Sequence, residues 1–168
     1  GDGEFNDAHG IAIGNDGYLY IADHTNHRIQ VLDKNGSFVR KFGSYGTAPG
    51  QLRNARDITC LKDGTVVVGD AYYLHFFEQA GTFLKRVNTS SANSYISVSK
   101  DGALFSYQRL RDQDGNQIAY LNNISSGART CFTPEGDLIV SYNNKVQIWK
   151  RAYRTKGLPT RNVIPQPA

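Results

Sequence analysis

Four turns built on an acidic residue followed by glycine recur along this chain: Asp16-Gly17, Asp63-Gly64, Asp101-Gly102 and Glu135-Gly136. They lie 47, 38 and 34 residues apart. An alternating run precedes each turn: His9 to Ile13, Arg56 to Cys60, Ser94 to Val98 and Ala128 to Phe132. Another follows: Tyr18 to Ala22, Thr65 to Gly69, Ala103 to Tyr107 and Asp137 to Ser141. Strand, acidic-Gly turn, strand is a hairpin signature. Third runs come at Arg28 to Leu32, Leu74 to Phe77 and Lys145 to Trp149. Second turns, Asp33 to Gly36 and Glu78 to Gly81, lead to fourth runs at Phe38 to Phe42 and Phe83 to Val87. No segment longer than one turn carries a 3.6-residue apolar period, so no substantial helix is expected.

Four short antiparallel strands in a unit of about 40 residues make the blade of a β-propeller. The predicted fold is therefore all-β, a propeller segment of about four four-stranded blades. The expected blades are 1–52, 53–92, 93–127 and 128–149, with a basic, Pro-containing tail over 150–168. The third unit is irregular from Arg109 to Asn116, where no strand boundary is legible. Gly1 to Phe5 matches the blade-joining phrase Gly50-Gln51-Leu52, so the chain is expected to begin at a blade junction with further blades upstream. The end blades would then be covered by those blades or by another copy.

Charge narrows the function classes. The net charge is +4, but Lys150, Arg151, Arg154, Lys156 and Arg161 crowd into the last 19 residues, leaving 14 basic and 15 acidic residues in the body. A near-neutral body argues against a nucleic-acid surface. No apolar run approaches the ~18 residues that would cross a bilayer. The chain has no methionine, so it is read as a processed piece, and its lack of a signal peptide says nothing of location. Cys60 and Cys131 form no CxxC pair and are expected to be small buried thiols.

The stretch from Gly1 to Leu52 resembles an NHL repeat in Gly3-Glu4-Phe5, His9 to Ile13, Tyr20 to Asp23, Asn26 to Val31 and Gly50 to Leu52. The second unit keeps Val68-Gly69-Asp70 but carries Tyr72 to His75 where Asn-His-Arg-Ile would stand. The third and fourth keep only the hairpin pattern. The resemblance implies a binding scaffold for protein, peptide or glycan partners. It also raises two rivals. One is a metal-dependent enzyme like the peptidyl-hydroxyglycine lyases, NHL propellers that hold zinc with inner-strand histidines. The other is an RNA-binding NHL domain.

Residue by residue, little chemistry is expected. Asp23 and Asp70 recur seven residues after their turns, so each is expected to serve its own blade by accepting backbone N–H bonds. Arg28 is expected to pair with a carboxylate or carbonyls nearby. His9 is the one inner-strand histidine. Its counterparts are Arg56, Ser94 and Ala128, none a histidine, and His24, His27 and His75 are expected on second and third strands, away from the channel, so no metal site, catalytic residue or cofactor is predicted. Asp112 to Asn116 resembles part of a calcium loop, but the twelfth position is Asn123, and a plain turn is the better reading. The expected ligand surface is the channel mouth: His9, Arg56, Asp57, Ser94, Tyr95 and Arg129. Asn88-Thr89-Ser90 and Asn123-Ile124-Ser125 are glycosylation sequons, in keeping with a secreted or cell-surface setting.

Overall fold

The computed structural model describes residues 1–89, 95–106, 108–121, 128–142 and 145–149. The tail 150–168, Ser94 and the sequon at Asn123 lie outside the described residues. So does Ser90 of the other sequon.

The first sheet is β1 (Ala8–Ile13), β2 (Leu19–Asp23), β3 (Arg28–Leu32) and β4 (Phe38–Phe42), paired antiparallel in chain order. The second repeats this order with β5 (Asp57–Cys60), β6 (Val66–Gly69), β7 (Tyr73–Phe77) and β8 (Phe83–Asn88). The third is β9 (Ser97–Val98), β10 (Leu104–Ser106), β11 (Arg109–Arg111) and β12 (Gln117–Tyr120). Three strands of the fourth are described: β13 (Arg129–Phe132), β14 (Leu138–Tyr142) and β15 (Lys145–Trp149). Each acidic-Gly turn joins the first two strands of its sheet, with its glycine at positive φ, 78° at Gly17 and 91° at Gly64. Only glycine adopts that backbone without strain. These are four blades of a β-propeller, as the turn spacing predicts.

The chain divides into two compact units, Gly1–Ile96 and Ser97–Ala168. In the first, Tyr20, Ala22, Ile29 and Val31 of blade one pack with Ile58, Val66, Val68 and Phe77 of blade two. Leu52, from the blade-joining phrase, is fully buried in that core. Blade two also approaches blade one by backbone. Gly10 N–H donates to Arg56 O at 3.0 Å. A Cβ on Gly10 would stand 2.7 Å from the Asp57 Cα, so only glycine fits there. The second unit has its own core of Phe105, Leu110, Leu121, Leu138 and Val140.

Two expectations change here. The irregular stretch of unit three is ordinary blade. β11 occupies Arg109–Arg111 and the Asp112 turn leads into β12. Asp112 Oδ1 accepts from the N–H groups of Asp114 and Asn116, both at 2.9 Å, as Asp33 Oδ1 accepts from Asn35 and Ser37 in blade one. Asp112 thus closes a turn with its own backbone. The cysteines correct the second expectation: Cys60 is half-buried but Cys131 is exposed. Alternation along β13 puts Cys131 on the same open face as Arg129.

Candidate functional site

The recurring carboxylates come first, because the structure accounts for every oxygen. Asp23 is fully buried at the end of β2. Its Oδ1 accepts from Asn6 N–H at 2.8 Å and from Asn26 Nδ2 at 3.0 Å. Its Oδ2 accepts from Asn26 Nδ2, Arg28 Nε and Gln30 Nε2 at 3.0, 2.7 and 3.1 Å. The Arg28 fork continues to the carbonyls of Gly1 and Glu4. His27 Nδ1 accepts from Asn54 N–H at 3.0 Å, which ties the β2–β3 loop to the segment before blade two. The Asn-His-Arg-Ile-Gln segment is therefore architectural, residue by residue.

Blade two keeps the carboxylate and changes its donors. Asp70 Oδ1 accepts from the N–H groups of Tyr72 and Tyr73, both at 2.8 Å. Its Oδ2 accepts from Arg53 N–H at 3.0 Å and from His75 Nε2 at 2.9 Å. Burial alone would raise both carboxyls. The bonds from Asn6, Asn26 and Arg28 at Asp23, and from His75, Tyr72 and Arg53 at Asp70, outweigh it and hold both below the usual range. Blade three carries the same bond without an acid. Arg111, almost fully buried, donates to Ser106 Oγ at 3.2 Å. Gln30, His75 and Arg111 all reach from the third strand to the end of the second.

Where blade one holds the Arg28 guanidinium, blade two holds Tyr73, and a cavity of ~80 Å³ opens there. Asp70, Tyr72, His75, Arg53 and Arg86 line it. Arg86 Nη1 donates to Thr47 O at 2.6 Å, with its guanidinium 4.5 Å from the Tyr73 ring. Arg53 stacks 5.9 Å over Tyr45, and its buried Nε has no hydrogen-bond partner. Tyr45 and Tyr72 are exposed beside it.

The expected mouth residues divide. His9, Arg56 and Asp57 do come together, through Gly10 and Arg56 O. Asp57 Oδ2 accepts from Ile96 N–H at 2.7 Å, one residue past Tyr95, and its Oδ1 accepts from Ile58 N–H. Asp57 is thus partly a structural tie. Arg129 is exposed on β13 in the second unit.

At His9 the structure adds two neighbours. The His24 ring stacks on it at 4.4 Å, 12° from parallel. Asp7, which the sequence did not single out, completes the group, with Oδ2 3.2 Å from His9 Nε2 and 3.3 Å from His24 Nδ1. Burial and the stacked His9 lower the His24 pKa; Asp7 opposes them and outweighs Arg56.

Comparison with known proteins agrees with this architecture. Residues 5–32 match the family model "NHL repeat". The Caenorhabditis elegans "RING finger protein nhl-1" is 52% identical over 66 residues, 39% of this chain and 7% of that protein. The Drosophila melanogaster "Protein brain tumor" is 28% identical over 89 residues, 51% of this chain and 9% of that protein. The chain thus spans less than a tenth of the length of either relative. Among solved structures, the WD40 repeats of RRP9 superpose with a TM-score of 0.75 at 12% identity, over 90% of this chain and 51% of that one. At that identity the likeness is one of fold. Blade one carries an NHL repeat, within a β-propeller segment.

Proposed function

We propose that this run of propeller blades, opened by an NHL repeat, is a non-catalytic scaffold whose first unit docks a protein partner. One observation carries the reading: the residues that define the repeat are consumed within the blades, while a Tyr/Arg-rich surface remains around the blade-two cavity. Tyr45, Arg53, Tyr72, Tyr73 and Arg86 have the composition of protein-binding hot spots. Arg53 lines the cavity, where its guanidinium could pair with an acidic side chain of a partner. Glycans and free peptides have no comparable support. The partner class rests on this surface.

The test places a photo-crosslinking amino acid at Tyr72 in the source cells. A discrete protein adduct, lost when Arg53→Glu is added, is the expected result. Adducts spread without preference, or unaffected by Arg53→Glu, would overturn the proposal. So would salt-dependent binding of single-stranded RNA that survives deletion of residues 150–168, which would favour the RNA reading.

A further inference from the structure

We propose that Asp7, His9 and His24 form a binding site for a divalent transition metal of the zinc class, built from a single hairpin. The site goes beyond the scaffold reading and does not depend on it. It also differs from the zinc arrangement that the lyase resemblance implies, since only His9 belongs to an inner strand.

Register creates the cluster. Ala8 pairs with Asp23, which sets Asp7 across from His24. The cross-strand bond from His24 N–H to Asp7 O, 3.3 Å, and that from Thr25 N–H to Asn6 O, 3.1 Å, hold the two chains together there. His9 lies two residues beyond Asp7, where strand alternation returns it to the same face. Between Ala8 and Ile11 the register shifts by one residue. A bulge of this kind re-aims side chains.

The distances suit the ion. Tetrahedral zinc, with bonds of about 2.0–2.2 Å to nitrogen and oxygen, holds its ligand atoms about 3.3–3.5 Å apart. The carboxylate-to-imidazole separations are 3.2 and 3.3 Å, and all three ligand atoms lie within 4.8 Å of one another. The stacked rings point their lone pairs along nearly parallel planes, so binding requires one ring to tilt. His9 has the freedom to do this, with a side chain 31% exposed against 12% for His24. His24 is the fixed partner. Both its ring nitrogens are shielded from solvent and neither makes a hydrogen bond. Its polar neighbour is Asp7 Oδ2, 3.3 Å from Nδ1 but without hydrogen-bond geometry. A shielded imidazole so poorly satisfied is costly, and a metal held between the two atoms supplies what is missing.

Charge sets the strength. Asp7 contributes one negative charge, and Arg56, close enough to act on His24, opposes the incoming cation. Two imidazoles and one carboxylate beside an arginine favour zinc or cobalt over calcium and magnesium, which require mostly oxygen ligands. Three protein ligands leave a fourth position for water or for a side chain of a bound partner.

The experiment is a cobalt(II) titration of the full chain after chelator treatment, read by the visible absorption of four-coordinate cobalt. Zinc competition follows by calorimetry. A Cys131→Ser background removes the exposed thiol as a rival ligand. About one equivalent should bind, and Asp7→Ala or His9→Ala should weaken it at least about tenfold. His9 and Asp7 are exposed, so those variants should fold with unchanged circular dichroism even if His24→Ala does not. His75→Gln, in the other blade, should bind as the parent does. No cobalt spectrum, or one that persists unchanged in Asp7→Ala and His9→Ala, overturns the proposal.

Discussion

Blades one and two solve one problem with different atoms. Each buries a carboxylate at the end of its second strand, Asp23 and Asp70. Blade one surrounds Asp23 mainly with side chains: Asn26, Arg28 and Gln30. Blade two surrounds Asp70 mainly with backbone: the N–H groups of Arg53, Tyr72 and Tyr73, plus one imidazole. The lesson is that the blade requires a satisfied polar group at that corner rather than a particular set of residues. Ser106 with Arg111 in blade three makes the point without an acid. A repeat can therefore lose its family signature while keeping its fold.

The sharpest way to break this comparison is to remove each carboxylate. Asp23→Ala removes the carboxylate from the Arg28 guanidinium, which keeps only the carbonyls of Gly1 and Glu4, and takes an acceptor from Gln30 and the Asn6 N–H; it should cost about 3–5 kcal/mol, the range for breaking a buried charge pair. Asp70→Ala leaves mostly neutral backbone donors and one imidazole, and should cost less, about 1–3 kcal/mol. Urea denaturation followed by tryptophan fluorescence or circular dichroism measures both. Equal losses would mean that the exchange of donors has no energetic meaning.

Acid is a gentler probe of the same corner. Both carboxyls sit below their usual range when folded. Each therefore contributes stability that is present above the unfolded carboxyl value, near 3.8, and is lost as pH falls through the folded value. The contribution of these two carboxyls should be constant from neutrality to about pH 5 and should fall below pH 4, while His24, whose pKa burial lowers, gives a separate decline that starts as pH falls through its unfolded value near 6.5. Asp23→Asn and Asp70→Asn should each flatten that drop. The effect is smaller than truncation, because a protonated carboxyl still offers an acceptor oxygen. A melting temperature that climbs below pH 4 would contradict the assigned direction.

Much of this was legible in the sequence, and the failures have physical causes. The hairpins follow from the acidic-Gly turns, whose glycines hold positive φ. The structural role of Asp23 follows from its recurrence at Asp70. Blade three was obscured because Gln108, just before β11, takes the left-handed backbone at φ 61° without being glycine. The metal cluster was hidden by the bulge. Extending the pairing of Ile13 with Leu19 down the hairpin places Ala8, not Asp7, across from His24. The extra residue on β1 shifts that register by one and brings Asp7 into place. A signal was present in three ligand-type residues near the two ends of one hairpin, but the shift that unites them was not.

The finest test rebuilds the corner of blade one inside blade two. His75 occupies the strand position of Gln30, so His75→Gln should preserve the bond to Asp70 and change stability by less than about 1 kcal/mol. Tyr73 occupies the position of Arg28, and Tyr73→Arg would send a guanidinium toward Asp70 through the ~80 Å³ cavity. In the parent, that gain meets an opposing loss. Arg86 stacks on the Tyr73 ring and would face a second cation in its place. The two effects should nearly cancel, leaving a change within about 0.5 kcal/mol. Pairing Tyr73→Arg with Arg86→Gln removes the repulsion and should turn the same substitution stabilising by about 0.5–1 kcal/mol relative to Arg86→Gln alone. A double-mutant cycle isolates that coupling. Coupling near zero would show that an arginine at position 73 does not reach Asp70. The cavity would then be a feature of blade two in its own right, and not the space left by a missing guanidinium.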